Sequence, residues 1–528
     1  MTLPEDDALV DTLTEPPRYN GADHLIANAV HNGVTVCFAN PGTTELHLVA
    51  ALDANPHMRT VLCAFEGVAS GAADGYARMT GTPALGVFHL GPGFANSLAN
   101  QHNSRRHGTP MLNVIGDHAT WHLPHDAPLT SRIELLGDWV GETRYARSAE
   151  DCGAQMASAI GDVLSATPRN VNLVVPADHA WSPAHPNVHR AHPRPRPAPS
   201  AQAVSAAADE LERPGAALIV GGERVSEAAA MLLGRIRART GCAVHLVRTA
   251  RVETGALLPE LHELPYFPGP LMNALAGVTT AVMVGPTEPI TFFGYPDTPS
   301  TALPADAARF VLADATHDPE AALEALAAAL GAIADEPLPR RGLPELDDGV
   351  LDPNTLGVAV ARALRPGHIV VNESLTSAGS YRRLAPHAAP HTLLAILGGA
   401  IGGGLPAAVG AAVACPDRPV LALQADGSSL YTIQSLWTMA RERLDVTVVL
   451  LANQRYNILD VELADAGLAL SERGRAMTSL ADPVLSFARI AEGFGVPART
   501  VGTTGDLADA LDWAIDGAGP HLIEALLP

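Results

Sequence analysis

Apolar and polar positions along this chain alternate between two rhythms. Short apolar runs read as strands, and longer stretches with apolar positions three or four apart read as helices. From Gly21 the rhythms take turns, with a helix over 22–32, a strand over 34–38, a helix over 45–54 and a strand over 59–65. Further strands at 84–88, 111–115 and 171–175 complete a first α/β domain at 19–182, behind an acidic leader at 1–18. Residues 183–200 are dense in proline, which joins neither a helix interior nor a central strand, so they read as a stiff linker. A second domain at 201–336 has strands at 217–220, 243–247, 280–284 and 310–313, and a second linker covers 337–353. The third domain, 354–528, has strands at 368–371, 420–424, 446–452 and 521–525. The expected fold class is α/β, with three doubly wound domains of similar size.

Two strands of the third domain each end in an oxygen ligand. The first runs into Asp426-Gly427-Ser428 and the second into Asn453. Between them a single helical pattern, 430–443, places Leu430, Ile433, Leu436, Trp437 and Ala440 on one face. A strand–helix–strand crossover makes a parallel, right-handed pair, so both ends open on the sheet edge where α/β proteins bind ligands. A carboxylate and an amide oxygen suit a hard cation such as Mg²⁺. Free backbone N–H groups at Gly427 and Ser428 suit a phosphate. A cation beside a phosphate cradle implies a diphosphate-bearing cofactor.

Composition narrows the chemistry. A formal net charge of −22 over 528 residues argues against nucleic acid and anionic membranes as partners. All 34 Lys+Arg residues are arginine, which excludes pyridoxal-phosphate enzymes, Schiff-base aldolases and Walker A loops, all of which need a lysine. The five cysteines lack zinc spacing, Cys37 and Cys63 read as small buried hydrophobes, and a reducing cytoplasm is the expected location. The start of the chain lacks the basic and apolar regions of a signal peptide. The uncharged run 393–415 has the length of a bilayer span, but its glycines and Pro406 make it a buried glycine-rich turn leading into a helix.

Glu66 closes the strand at 59–65 and opens a helix rich in glycine and alanine. A carboxylate there offsets the helix dipole in any protein, but apolar flanks at Cys63, Ala64, Phe65 and Val68 also desolvate it and ready it for proton exchange. Asn40-Pro41-Gly42-Thr43-Thr44-Glu45 follows the first strand, where Thr43 or Thr44 is an expected helix cap or a hydroxyl facing ligand. His89 sits at a strand's carboxyl end, ahead of a tight glycine turn at Gly91-Pro92-Gly93. His118, His122 and His125 share one loop without metal-ligand spacing.

These residues resemble the thiamine-diphosphate-dependent enzymes. Ala425-Asp426-Gly427-Ser428 through Asn453-Gln454 is similar to that family's cofactor motif, Phe65-Glu66-Gly67 with Ala72–Arg78 to its glutamate segment, and Leu397–Pro406 to its cofactor-bending loop. Asn40–Thr43, Phe88-His89-Leu90 and Asn372-Glu373-Ser374 are similar to benzoylformate decarboxylase, and Gly91–Asn96 with Asn100 to the acetolactate synthase large subunit. The resemblance implies pyrimidine-binding, central and diphosphate-binding domains. It implies that Glu66 promotes the imino form of the aminopyrimidine, that Gly399 accepts that ring through its backbone, and that Ile401 wedges the cofactor into a V. Asp426, Asn453 and the carbonyl of Arg455 would hold Mg²⁺, with Gly427, Ser428 and Tyr456 in the cofactor site. His89 would be the acid/base and Thr43 would orient the substrate carboxylate. It further implies a homodimer or homotetramer with active sites between subunits.

The chain departs from the pattern at Ala425 and Gln454, each in place of a family motif residue. Benzoylformate decarboxylase has a second histidine in its central domain, and the stretch Thr291–Pro296 here has none. Acetolactate synthases use a lysine and FAD; here the lysine is missing and Gly221-Gly222-Glu223 is a weak dinucleotide signal, so FAD is not the expected cofactor. The function expected is decarboxylation of a 2-oxo acid with transfer to a carbonyl acceptor. Simple decarboxylation is the alternative, and a non-catalytic cofactor-binding subunit is a further one.

Overall fold

A computed structural model of the chain describes residues 19–166, 169–285, 288–338, 342–377 and 379–528. The expected leader at 1–18 and part of the segment at 337–353 lie outside them. The described strands are β1 (Val36–Asn40), β2 (Arg59–Leu62), β3 (Leu85–Phe88), β4 (Met111–Asp117), β5 (Glu142–Tyr145) and β6 (Asn170–Pro176). There follow β7 (Ala216–Val225), β8 (Ala243–Thr254), β9 (His262–Glu263), β10 (Thr280–Val284) and β11 (Ala308–Ala313). The last six are β12 (Ile369–Glu373), β13 (His391–Ala395), β14 (Val420–Ala425), β15 (Val446–Ala452), β16 (Ala498–Val501) and β17 (His521–Leu526).

The first six strands form one parallel sheet in the order β2-β1-β3-β4-β6-β5. The chain leaves β1 for β2 and then returns past β1 to β3. The connections after β1 and β3 therefore diverge and open a crevice at their carboxyl ends. The order recurs in the third part of the chain as β13-β12-β14-β15-β17-β16, all parallel, with the same divergence between β12 and β14. β14 and β15 are neighbours in parallel register, Ala425 opposite Leu451, as their strand–helix–strand pattern requires.

The middle strands, β11-β10-β7-β8, do not stand alone. β8 runs to Thr254, beyond the 243–247 read from its apolar core, and pairs antiparallel with β13 so that the two parts share one sheet. The extension alternates polar and apolar residues. Its polar side is held by Glu253, which takes the Arg251 guanidinium at 2.6 Å and the Thr392 hydroxyl at 2.7 Å.

The uncharged run 393–415 resolves into β13, a glycine loop and the helix Gly404–Ala414. That helix packs against Glu66–Thr80 with backbones in contact: a Cβ on Gly75 would strike the Ala407 carbonyl, and one on Gly410 the Ala72 carbonyl. Small residues thus let the helix behind Glu66 abut the helix behind the glycine loop, in one apolar core with β1, β12, β14 and β15. No described helix is long and apolar enough to cross a membrane. Cys37 and Cys63 are fully buried, and burial pushes the Cys37 thiol up to about 12.

Candidate active site

At the crevice between β1 and β3, the turn after β1 meets the residue after β3. Glu45 is fully buried, and its carboxylate accepts from the Gly42 N–H at 2.9 Å and the Thr44 hydroxyl at 2.5 Å. The same carboxylate lies 2.7 Å from His89 Nδ1, and Thr44 Oγ1 lies 3.2 Å from that nitrogen. Gly42 is required here, because a Cβ on it would enter the imidazole ring. With Nδ1–H directed at Glu45, Nε2 is the nitrogen left to face the crevice. The next residue, Leu90, is buried with φ +49°, a left-handed conformation that costs a leucine about 1–2 kcal/mol and fixes the exit of the chain from His89.

Glu66 begins its helix as expected, is 8% exposed, and accepts from Asn96 Nδ2 at 3.1 Å. Gly93 lies between it and the histidine: a Cβ there would sit 3.0 Å from Glu66 Oε1 and 3.1 Å from His89 Cβ. Glu66, His89 and Glu45 therefore form one site. Asp117 ends β4 beside them, and burial pushes its carboxyl up to about 6 against the lowering hydrogen bond from the His118 N–H at 2.8 Å.

The second group lies at the tips of β14 and β15. Asp426 is 2% exposed, with one carboxylate oxygen on the Gly427 N–H and the other on the Gln454 N–H, each at 2.7 Å. The second bond ties Asp426 to the residue after Asn453, so the two oxygen ligands sit on adjacent strand ends. Asn453 Oδ1 accepts from the Arg455 N–H at 3.1 Å. Burial raises the Asp426 carboxyl against the backbone hydrogen bonds it accepts, and no cationic side chain offsets its charge among the described residues. The Gln454 side-chain oxygen is buried without a partner among the described residues. The Tyr456 ring occupies the space over Gly427, where a Cβ would come within 2.5 Å of it. A buried carboxylate without a cationic partner among the described residues and an amide oxygen on the adjacent strand end fit a hard divalent cation, although the Gly427 N–H expected to be free for a phosphate is taken by Asp426. Among the described residues, no cluster of three or more His, Cys, Asp or Glu side chains offers another metal site, and the His118–His125 loop is none.

The third group is the glycine loop. Gly399 (φ +78°) and Gly402 (φ +94°) take left-handed turns around half-buried Ile401. Asn103 brackets Ala400, its Nδ2 donating to the carbonyl at 2.7 Å and its Oδ1 accepting from the N–H at 3.2 Å. Asn100 Nδ2 donates to Gly67 O at 2.8 Å and reaches Gly402 O at 3.4 Å, so the loop and the start of the Glu66 helix are neighbours. The Phe292 ring packs over Gly399.

Four expectations change. Thr43 is exposed and caps nothing, because Glu45 itself precedes the helix Leu46–Ala54, and Thr44 is the hydroxyl that meets His89. Gly91-Pro92-Gly93 is the first turn of the helix Leu90–His107, where the missing proline N–H has no intrahelical partner to lose. The pattern at 430–443 is a single shorter helix, Ser435–Glu442, preceded over 430–434 by tight turns that join it to the one-turn helix Asp426–Ser429. Thr432 there turns its hydroxyl onto the Gly402 carbonyl at 2.8 Å, which an uninterrupted helix does not require. Lastly, Glu45 read as helix rather than as the partner of His89. The only hint was a carboxylate three residues after Gly42 at a sheet edge.

Residues 19–133 match the family model described as thiamine pyrophosphate enzyme, N-terminal TPP binding domain, and residues 377–525 match the C-terminal TPP binding domain of the same enzymes. A protein of Mycobacterium tuberculosis named "Putative acetolactate synthase large subunit IlvX" is 44% identical over 520 residues, covering 96% of this chain and 99% of that one. Benzoylformate decarboxylase of Pseudomonas aeruginosa is 29% identical over 93% of this chain and 96% of its own. Among solved structures, the thiamine diphosphate-dependent 4-hydroxybenzoylformate decarboxylase of Rhodococcus jostii shares the fold, with a TM-score of 0.84 at 24% identity over 96% of this chain and 99% of that one.

Proposed function

The chain belongs to the thiamine pyrophosphate enzyme family, and we propose that it decarboxylates a 2-oxo acid and joins the remaining fragment to a carbonyl acceptor. When bound, thiamine diphosphate supplies an electron sink that lets the acid lose CO₂ and leaves its former carbonyl carbon nucleophilic. Asp426, Asn453 and the Arg455 carbonyl would hold Mg²⁺, with Gly427, Ser428 and Tyr456 beside the diphosphate. The Gly399 carbonyl would accept from the aminopyrimidine, and Ile401 would be its apolar support. Glu66 Oε2 accepts from Asn96, so Oε1 is the oxygen that would hold a proton of the aminopyrimidine. His89 Nε2 moves a proton at the substrate carbonyl oxygen, with Glu45 fixing its ring, and Thr43 and Thr44 line the carboxylate side.

The observation that carries the carboligase reading is Phe292 over Gly399. The stretch that would bring a second histidine presents an aromatic ring, which offers no proton on that side and would favour transfer to a carbonyl acceptor over protonation. The 44% identity to a protein named for acetolactate synthesis supports the same reading. One observation favours simple decarboxylation instead: His118 Nε2 is buried without a partner among the described residues at the tip of β4, next to the strand that carries His89. Assembly of at least two chains is supported by Trp121, Trp139, Tyr431 and Met477, which are more than half exposed in a single one. Incubation with pyruvate or benzoylformate, with and without an aldehyde acceptor, tests the reading. Hydroxyketone is the expected product, and free aldehyde alone would defeat it.

A further inference from the structure

Glu373 ends β12 and lies opposite Gln424 of β14, at the divergence that faces the cofactor site. Its carboxylate is 3% exposed and has no cationic partner among the described residues. One oxygen accepts from the Gly402 N–H at 2.7 Å and the Gly403 N–H at 3.4 Å; the other accepts from the Gly404 N–H at 2.7 Å and Gln424 Nε2 at 3.0 Å. Three successive backbone N–H groups, at the start of the helix Gly404–Ala414, thus hold the carboxylate where a cation otherwise would.

The Gln424 amide nitrogen has two hydrogens, and both are committed. One goes to Glu373 and the other to Ser428 Oγ at 2.5 Å, whose own hydrogen goes to the Ala425 carbonyl at 3.1 Å. Glu373 touches the glycine loop, Ser428 belongs to the diphosphate cradle, and Gln424 joins them. Gln424 and Ser428 are both fully buried, so no water takes up a displacement along the line. There is no slack at Gly404 either, where a Cβ would strike Gln424 Oε1 and come within 2.8 Å of Glu373 Oε2.

We propose that Glu373 and Gln424 form a buried relay that couples the two halves of the cofactor cradle. Filling the diphosphate end at Gly427 and Ser428 orders the loop from Gly399 to Gly404, which shapes the pyrimidine end. Neither residue touches a reacting atom; both are positioning residues. The coupling rests on the diphosphate placement proposed above.

Amide hydrogen exchange on the full chain tests it, with magnesium and inorganic diphosphate as the probe, because that probe cannot reach the pyrimidine end itself. In the native protein the probe should slow exchange across 398–405 by about tenfold, the worth of one charge-assisted hydrogen bond. In Gln424→Leu, calorimetry should still register diphosphate binding while the slowing disappears. Glu373→Gln should likewise bind without slowing, and it is the readout if Gln424→Leu does not fold. Native protein that binds the probe without slowing, or a folded relay variant that slows as the native does, would overturn the relay alone. Native protein that does not bind magnesium diphosphate would overturn the placement of the diphosphate and the relay with it.

Discussion

Replacing Glu45 by Gln isolates what the buried carboxylate does for His89. The change keeps the side chain's volume, and its carbonyl oxygen can still accept from Gly42 N–H or from the Thr44 hydroxyl, at 2.9 and 2.5 Å in the native chain. What it removes is the charge 2.7 Å from His89 Nδ1. A hydrogen bond to a charged partner is worth about 2 kcal/mol, which converts to roughly a 30-fold lower kcat. If the new amide turns its N–H toward Nδ1, the imidazole must adopt the other tautomer, and the loss grows to about 10³-fold, within the range of a lost general acid–base. Folding should change little, by about 1 kcal/mol or less, because Glu45 pairs with no arginine among the described residues and the amide oxygen can keep the Gly42 contact. The assay is CO₂ release at saturating thiamine diphosphate and Mg²⁺, with thermal unfolding and cofactor affinity measured alongside. The account requires kcat to fall while cofactor affinity and unfolding midpoint hold. A kcat within about threefold of native would refute the dyad.

Two further outcomes follow from the same crevice. Gly42→Ala puts a methyl group into the space of the His89 ring, and because Gly42 has φ −116° its backbone tolerates alanine. Steady-state kinetics should show kcat at least about tenfold lower in a folded protein, and unaltered kcat would show that the ring has room. Asp117, with its carboxyl raised to about 6 from 3.8, stabilises the fold relative to the unfolded chain only while protonated. The native protein should therefore lose stability as pH rises from about 4 through about 6, and Asp117→Asn should not. By pH 7.5 denaturant titration should find the variant more stable by about 1–2 kcal/mol, and the two equal at pH 4; parallel curves would show that Asp117 is not desolvated.

How much of this was legible in the sequence depends on the range of each interaction. Asp426 and Asn453 were readable because one crossover joins their strands, and a right-handed parallel crossover leaves one arrangement for the two tips. Glu66 was readable because its apolar flanks and the helix behind it are local. The Glu45–His89 contact was not, since it joins positions 44 apart across a strand order that periodicity does not encode. The same holds for β13, whose partner β8 lies far away in sequence and makes a strand of residues that read as part of a glycine turn. The break in the 430–443 helix was hidden because the apolar spacing persists across it. Leu436 is buried and Leu430, Ile433 and Ala440 pack on the core, while the backbone tightens so that Thr432 can meet Gly402.

The central claim is that a divalent cation, held by oxygens at the tips of β14 and β15, fixes the cofactor's diphosphate. Asp426 bears directly on it, because burial raises its carboxyl and a bound cation would offset that cost. Titration calorimetry of thiamine diphosphate into the cofactor-free protein, with magnesium and then with chelator, for native and Asp426→Asn chains, is the most direct measurement. Native protein should take up the cofactor only with magnesium, and Asp426→Asn should lose that uptake while resisting heat at least as well as native cofactor-free protein. Equal uptake with and without magnesium, or a variant that binds as the native does, would contradict the account.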